Sequence, residues 1–423
     1  MVDNKPAEPQ NYFSVLTAQY CWLALSVMSL SMFGLLENQL AEAIGRNTFY
    51  GVAAIFIPLV IAYAMTKQRK SYLLWKIQTP FVVLLLINII YWLSYANEVS
   101  SVFLIQYVVV ICCFYTYYYA ANMTNYISRY NFVALLGMAI LGLYAAMILL
   151  DPGLALRGAW SGGFANPNVF GLFMFMLVCV ITCSLHVNRA VLPGLVVIVV
   201  AVAALLIFSS RSRSGLLALG MFLATYYIWP YIGRRASFGF AYLLGVIALI
   251  VFLTFSGAER IQLPPILNVL LEDFSSSYEK NVDSGRSQLW NAALDLISDR
   301  PLFGWGTGST TQNVLNSGLS FHNWYLTVAY HFGLVGITLY IILFVGIWQV
   351  FCSMSSHPLA RAAASSLAGL LMTQVYEVSL TQNNLNMGLV FWALFGLAVG
   401  VLARSRCDRI NHPLPVGAGL ALR

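Results

Sequence analysis

Long runs of apolar residues, interrupted by short polar segments, form the dominant pattern of this chain. A helix needs about 20 mostly apolar residues to cross the hydrocarbon core of a bilayer. The runs lack the alternation of barrel strands, and only helices and closed barrels satisfy their backbone polar groups in lipid. The pattern therefore predicts an all-α polytopic membrane protein with about twelve transmembrane helices. The predicted spans are 15–36, 49–66, 79–97, 101–121, 131–150, 166–186, 191–209, 214–231, 238–256, 323–350, 358–378 and 386–403.

One polar segment is much longer than the others and lies between the ninth and tenth predicted helices, at 257–322. Within it, a Ser-Gly start followed by an amphipathic pattern predicts a short helix at about 286–299. Pro301 and the glycine-rich stretch behind it predict the end of that helix. No internal repeat or soluble module is visible, so we predict a single integral membrane domain, 1–423, with one large loop.

Composition and charge agree with this class and orient the chain. Of the 423 residues, 60% are hydrophobic and 9% are charged, which excludes a soluble globular protein of this length. With both termini in the cytoplasm, the inner side holds 14 of the 22 Lys and Arg residues but only three of the 15 acidic ones. Lys and Arg concentrate in cytoplasmic loops. This distribution accounts for the net charge of +7 without a nucleic-acid partner, and it places the long loop on the outer side.

Arg211 and Arg213 lie on that outer side, where the charge rule disfavours them. A guanidinium group stays charged and presents a planar fork of donors that matches phosphate oxygens. The alternative is that both arginines reach to the membrane surface as anchors. Because Arg213 opens the next helix directly, we predict that it binds a phosphate group and that Arg211 assists it or serves as an anchor.

Three more candidates lie in or beside the long loop. Arg286 is predicted at the start of the loop helix, where backbone N–H groups favour an anion, although a solvated charge is the simpler reading. His322 lies where the loop re-enters the membrane, and histidine can accept a proton near neutral pH. Asn323 adjoins it as a substrate-binding candidate. A single histidine is more often structural, which is the interpretation preferred for His331.

Other polar residues extend the candidate site. Glu377 is predicted near the outer end of the eleventh helix together with Gln374 and Gln382. An ionisable residue in an apolar helix indicates function, but Glu377 could equally be the structural partner of an arginine. Arg157 and Asn168, in and just after a short outer segment, are further substrate-binding candidates. The sequence contains no metal-ligand motif and no Walker A motif, so we expect neither a metal nor another cofactor.

Four motifs taken together resemble a known family. In chain order they are FANPNVFG (164–171), SRSGLLAL (212–219), GRSQLWNAALDLISDRPLFGWGTG (285–308) and HNWYLTVAYHFGLVG (322–336). Each motif is loose, but the four together are similar to the O-antigen ligase and O-antigen polymerase superfamily, over roughly the C-terminal two thirds of the chain.

The resemblance implies a metal-independent glycosyltransferase of the C-type fold in the bacterial inner membrane, with its active site facing the periplasm. Its donor would be a glycan on undecaprenyl diphosphate. By motif, the family's essential residues correspond to Arg213 and Arg286, which would hold the diphosphate, and to His322, which would activate or position the acceptor hydroxyl. Attack at the anomeric carbon would then proceed with inversion, and lipid-facing gaps between helices would admit both lipid substrates from the surrounding membrane lipids.

The acceptor distinguishes the members of this superfamily. A ligase transfers the glycan to a sugar of lipid A–core in lipopolysaccharide assembly, and the Asn-Pro-Asn motif and compact loop favour this reading. The alternative is a polymerase of O-antigen or exopolysaccharide, whose acceptor is a lipid-linked repeat unit. A more remote alternative is a transporter or flippase for the same lipid-linked glycan. Transporters place charged groups at the bilayer midplane, whereas these candidates gather at one face, which favours an enzyme.

Overall fold

The computed structural model describes residues 72–121, 130–156, 159–164, 166–187, 193–233, 235–256, 286–309, 321–381 and 385–411. The regular structure of these segments consists of helices, without strands, so the predicted all-α class is confirmed. The helices are α1 (Tyr72–Tyr95), α2 (Glu98–Ala120), α3 (Tyr130–Leu150), α4 (Gly153–Leu156), α5 (Pro167–Val187), α6 (Pro193–Ser210), α7 (Arg213–Ile232), α8 (Ala236–Ser256), α9 (Arg286–Asp299), α10 (Trp324–Ser353), α11 (Pro358–Thr373) and α12 (Leu385–Asn411).

Eight of the described helices are long and apolar enough to cross a membrane, namely α1, α2, α3, α5, α7, α8, α10 and α12. Two further predicted spans correspond to the shorter helices α6 and α11. The first two predicted spans, 15–36 and 49–66, fall outside the described residues. The protein is therefore a polytopic membrane protein, and the total of twelve spans stays a prediction.

Helix boundaries depart from the predicted ones mainly at α1, α11 and α12. Helix α12 ends at Asn411 instead of residue 403. Helix α1 begins at Tyr72 instead of residue 79 and continues through Pro80. Helix α11 ends at Thr373 instead of residue 378, because Gln374 forms its C-cap and the chain then turns. The apolar pattern continues past this turn, so hydropathy alone extended the helix too far.

Burial separates central helices from peripheral ones. Helices α5 and α12 are each 89% buried over their most apolar window, whereas α3 is 17% buried. Leu149 and Leu150 at the end of α3 are 80% and 86% exposed, as expected for side chains that face lipid tails. The central helix α11 is rich in Ala, Ser and Gly, and small residues allow membrane helices to approach closely. A Cβ atom at Gly369 would lie 2.7 Å from the carbonyl oxygen of Ala218 in α7.

Helices α7 and α11 run antiparallel, which fixes the end of the bundle where their termini meet. Gly369 of α11 lies against Ala218 of α7, and Arg361 near the start of α11 lies over the ring of Tyr226, 3.8 Å from its centroid, near the end of α7. The start of α7 and the end of α11 therefore share one end of the bundle. The first N–H group of α10, at Trp324, reaches the same place by donating to the carbonyl of Gln374 (2.8 Å). We call this the site end.

Helix α10 is broken at Gly333, where φ is 61° and ψ is −157°. A break leaves backbone N–H and C=O groups without intrahelical partners, which is costly inside a membrane. Residues 301–308, here called the strap, supply those partners. Trp305 and Gly306 donate to the carbonyls of residues 330 and 331 (2.7 and 3.0 Å), and the N–H groups of residues 334 and 335 donate to the carbonyls of residues 301 and 302 (2.8 and 3.1 Å).

Glycine is required where the strap and the broken helix cross. Gly304 has φ of 69°, and a Cβ atom there would lie 2.5 Å from the Tyr330 carbonyl oxygen. A Cβ atom at Gly333 would lie 2.4 Å from the carbonyl carbon and oxygen of Leu302. Both positions combine a left-handed backbone with close approach, and only glycine meets both conditions without strain. The glycine-rich stretch predicted as a helix breaker is thus also a packing element.

The C-terminal end of α1 contacts the strap from its other side. The hydroxyl groups of Tyr91 and Tyr95 donate to the carbonyls of Phe303 and Trp305, and the Asn97 side-chain amide donates to the carbonyl of Gly308 (2.9 Å). The strap therefore connects α1, α10 and the loop helix α9 that precedes it.

Candidate active site

Arg211 and Arg213, in the turn between α6 and α7, differ in backbone conformation and exposure. Ser212 caps α7 by accepting a hydrogen bond from the N–H of Gly215 (3.2 Å), and Arg213 is the first helical residue, with an exposed side chain. Arg211 is half-buried and adopts a left-handed backbone with φ of 57°. Arg213 therefore stands at a helix N-terminus, where the helix dipole and N–H groups favour an anion. Its predicted phosphate-binding role fits this geometry but remains a prediction.

The serines around these arginines serve the turn itself. Ser209 and Ser210 donate to carbonyls in the preceding helical turn, at 2.9 and 2.7 Å for their closest bonds. The hydroxyl of Ser212 lies 3.3 Å from that of Ser214. All four serines are buried. Their hydrogen bonds hold the turn in one conformation, so the ligand-binding capacity of this segment lies with the arginines.

The start of α5 packs directly against this turn. A Cβ atom at Gly171 would lie 2.3 Å from the Cβ atom of Ser212, so these two motifs touch. Asn166 precedes α5 and accepts a hydrogen bond from the N–H of Asn168 (2.8 Å), which makes Asn166 the helix-start residue of the Asn-Pro-Asn motif. Asn168 is half-buried at the site end, while Arg157 lies outside the described residues.

His322 occupies a constrained position at the start of α10. Its φ is 49°, a left-handed conformation that is uncommon for any residue with a Cβ atom. Its side chain is half-buried, between Phe321 and Asn323, which are 2% and 0% exposed. Backbone strain of this kind concentrates at functional sites. The structure thus places the imidazole at the point where the loop joins the membrane helix, as the sequence predicted.

Asn323 combines a structural bond with an unused donor. Its side-chain oxygen accepts from the N–H of Leu326 (3.1 Å) and caps α10. Its side-chain nitrogen is fully buried and has no hydrogen-bond partner in the part of the chain that the structure describes. Buried polar atoms are almost always paired, by water or ligand where protein does not suffice. The donor of the Asn323 amide is therefore unused within the described residues, and Asn323 remains a substrate-binding prediction.

The segment after α11 differs from the prediction. Glu377 lies beyond the end of the helix, in the irregular stretch that follows Gln374, and it is 5% exposed. The side chain of Gln374 is occupied, since it donates to the hydroxyls of Thr373 (2.9 Å) and Ser379 (2.8 Å). Gln374 therefore shapes the segment, whereas Glu377 remains a substrate-binding prediction. Gln382 lies outside the described residues.

The loop helix α9 matches the predicted span of 286–299. Arg286 is its first residue, so the prediction that this arginine starts the helix is confirmed for the backbone. Trp290, one turn later, donates its indole N–H to the carbonyl of Phe321 (2.9 Å), the residue before His322. The ring of Trp290 also lies 6.2 Å from that of Tyr376, measured between centroids. Sequence reasoning did not identify Trp290, because nothing in the pattern indicates the partner of its N–H group.

His331 has a structural role. It is 5% exposed, and its Nδ1 atom lies 3.0 Å from the carbonyl oxygen of Gly306 in the strap. Its ring packs edge-on against Phe103 at 4.8 Å between centroids. The preferred interpretation of His331 as a structural residue is consistent with these contacts.

An apolar cavity of about 440 Å³ lies between α8, α9 and α10. Ile247 and Phe255 line it from α8, Leu294 from α9, and Ile337 from α10. Trp324, Tyr325 and Leu326 also line it, immediately after the His322–Asn323 pair. The cavity therefore lies next to the start of α10. Among the described residues, no group of three or more His, Cys, Asp and Glu could hold a metal ion.

The structure brings the four sequence motifs together in two pairs. The start of α5 touches the turn before α7, and the loop helix and strap contact α10. Helix α11 joins the pairs, since it lies along α7 and its C-cap binds the start of α10. The candidate residues from these motifs therefore collect at the site end.

Comparison with known proteins agrees with this arrangement. Residues 197–341 match the family model described as O-antigen ligase. Three of the four motifs lie within this range, and FANPNVFG lies just before it. No curated protein matches the chain. The match therefore supports the resemblance that the four motifs indicated.

Proposed function

We propose that the chain is an inverting glycosyltransferase that joins a glycan from undecaprenyl diphosphate to a sugar of lipid A–core. The match of residues 197–341 to the family model described as O-antigen ligase supports this proposal. The observation that carries this proposal is the collection of Arg213, Arg286 and His322 from separate motifs at one end of a membrane helix bundle. The proposed setting is the bacterial inner membrane, with both termini cytoplasmic and the site end facing the periplasm.

The two arginines would bind the diphosphate. Arg213 and Arg286 each stand at the first position of a helix. Each site thus combines a permanent positive charge with the N–H groups of a helix start, and both favour phosphate oxygens. Diphosphate becomes more negative as the glycosidic bond breaks, so these groups stabilise the transition state more than the bound donor.

His322 would act on the acceptor. In the proposed reaction an acceptor hydroxyl oxygen attacks the anomeric carbon and forms the new glycosidic bond. The bond from that carbon to the diphosphate oxygen breaks, and its electron pair leaves with undecaprenyl diphosphate. The hydroxyl proton passes to the imidazole of His322, and the buried amide of Asn323 donates a hydrogen bond to a substrate oxygen.

The apolar cavity suits the lipid part of such a donor. Its volume of about 440 Å³ and its aliphatic and aromatic lining favour a hydrocarbon chain. It begins beside Trp324, two residues after His322. A polyprenyl chain in this cavity would therefore hold the attached diphosphate near the site end.

A competition between two acceptors tests which one the protein uses. Purified protein in liposomes receives undecaprenyl-diphosphate glycan together with lipid A–core and a lipid-linked repeat unit. We expect the glycan to be transferred to lipid A–core. Extension of the repeat unit instead would identify a polymerase. Movement of the lipid-linked glycan across the bilayer without a new glycosidic bond would identify a transporter and contradict the proposal.

A further inference from the structure

The indole of Trp290 connects the loop helix to the start of α10. Trp290 is 5% exposed, and its N–H donates to the carbonyl of Phe321 (2.9 Å). Phe321 is joined by a peptide bond to His322 and is itself 2% exposed. This hydrogen bond therefore fixes a point on α9 relative to the backbone that carries His322.

Arg286 lies one helical turn before Trp290. Residues four positions apart lie on the same face of an α-helix. The backbone position of Arg286 is thus on the face of α9 that Trp290 turns toward Phe321. Rotation of α9 about its axis, or sliding of α9 along it, would displace the start of the helix relative to His322.

The other end of α9 is held by separate contacts. Trp305 in the strap donates its indole N–H to the carbonyl of Leu296 (2.8 Å), and Arg300 lies over the Trp305 ring at 4.1 Å from its centroid. These contacts fix the C-terminal half of α9 to the strap. A helix held at one end can still pivot, so the Trp290 bond near its start decides where that start lies.

We propose that Trp290 is a positioning residue that keeps Arg286 in a fixed position relative to His322. The inference rests on the proposed function of these two residues, but its structural part stands on the Trp290–Phe321 bond. Groups that act together on one substrate lose about 100-fold in rate when displaced by about 1 Å. Trp290 itself does no chemistry and acts through Arg286.

A double-mutant cycle tests this coupling. We expect Trp290→Phe, which keeps an aromatic ring but removes the N–H donor, to lower the turnover number about 10- to 100-fold. In an Arg286→Ala background the same substitution should change turnover by less than about 2-fold, because its effect passes through the missing arginine. An equal loss in both backgrounds, or no loss in either, overturns the proposal.

Trp229→Phe is the matched control. Trp229 is also buried, at 2% exposure, and it donates its indole N–H to the carbonyl of Ser355 (3.2 Å) at the opposite end of the bundle. The Trp229→Phe variant therefore loses the same kind of hydrogen bond, at a position that does not contact the helix carrying Arg286. We expect any effect of Trp229→Phe on turnover to be the same with and without Arg286→Ala.

Hydrogen exchange tests the structural part independently of activity. Trp290→Phe should speed amide exchange across residues 287–299 at least several-fold, whereas Trp229→Phe should not. If Trp290→Phe fails to fold, 3-benzothienyl-alanine at position 290 keeps the ring shape and removes only the N–H. Unchanged exchange overturns the positioning role. Faster exchange in a protein that transfers no glycan contradicts the proposed function but leaves the role of Trp290 in docking α9 intact.

Discussion

At the scale of single residues, Arg211 and Arg213 differ in backbone conformation. Arg213 is the exposed first residue of α7, whereas Arg211 is half-buried in a left-handed turn. A role in binding diphosphate requires a guanidinium group that a ligand can reach. We therefore propose that Arg213 contributes more to diphosphate binding than Arg211 does.

We predict that Arg213→Ala lowers the initial rate of glycan transfer in proteoliposomes about 100-fold or more, as loss of a transition-state donor does elsewhere. Arg213→Lys should recover part of the rate, because it restores the charge but not the planar fork. Arg235→Ala is the control, since Arg235 is also exposed and precedes a membrane helix, but at the opposite end of α7. Equal losses in both alanine variants would contradict a specific role for Arg213.

His322 offers a second test at this scale because its backbone is left-handed. Alanine and glycine both remove the imidazole, but only glycine adopts this conformation without steric cost. The cost for alanine is about 1 kcal/mol of conformational free energy in the folded state. We therefore predict that His322→Ala and His322→Gly both lose transfer, while His322→Gly unfolds at the higher temperature in a thermal melt. A reversed order of melting temperatures would show that the left-handed backbone is not maintained in solution.

At the scale of elements, α8, α9 and α10 enclose an apolar space that adjoins the site. None of these helices forms the cavity alone, because its walls come from the membrane region and from the loop. Two residues of the loop helix that are four positions apart, and so on the same face, make these contacts. Leu294 lines the cavity, and Trp290 contacts the start of α10.

Filling this cavity should change the dependence on lipid length. We predict that Ala329→Phe, at a lining position of α10, raises the KM for the undecaprenyl donor about 10-fold while a donor with a short prenyl chain is little affected. The measurement is transfer rate against donor concentration for both chain lengths. Ala146→Phe is the control because Ala146 is exposed on α3, away from the lining. An equal change in KM for both donors would place the prenyl chain elsewhere.

At the scale of the whole molecule, the charge distribution supports the proposed orientation, in which the site end faces the periplasm. Arg235 and Arg361 lie at the end of the bundle opposite the site end, and the predicted inner side holds 14 of the 22 Lys and Arg residues. Cytoplasmic loops are the ones enriched in Arg and Lys. The proposed periplasmic location of the site end follows from this rule.

Reporter fusions test the orientation directly. Alkaline phosphatase fused within the long loop, after residue 280, should be active because it reaches the periplasm. A green fluorescent protein fused after residue 423 should fluoresce because it remains in the cytoplasm. The opposite pattern would place the site on the cytoplasmic side and would contradict the proposed use of a periplasmic glycan.

The sequence predicted those features that depend on local pattern. Apolar runs located ten of the described helices, and the amphipathic stretch located α9 at its observed bounds. The break in α10 at Gly333 was not predicted, because a single glycine in an apolar run looks like ordinary membrane helix. The Trp290–Phe321 bond and the end of α11 before Glu377 were also missed, since both depend on tertiary contacts.

The strap also has a consequence for the order in which the molecule assembles. Its backbone bonds to α10 join parts of the chain that are close in sequence, so they can form soon after α10 enters the membrane. Its bonds to Tyr91, Tyr95 and Asn97 span more than 200 residues and need α1 to be docked against α10. Contacts of such long range form late. A chain that is still assembling would thus lack a finished site until its bundle has closed.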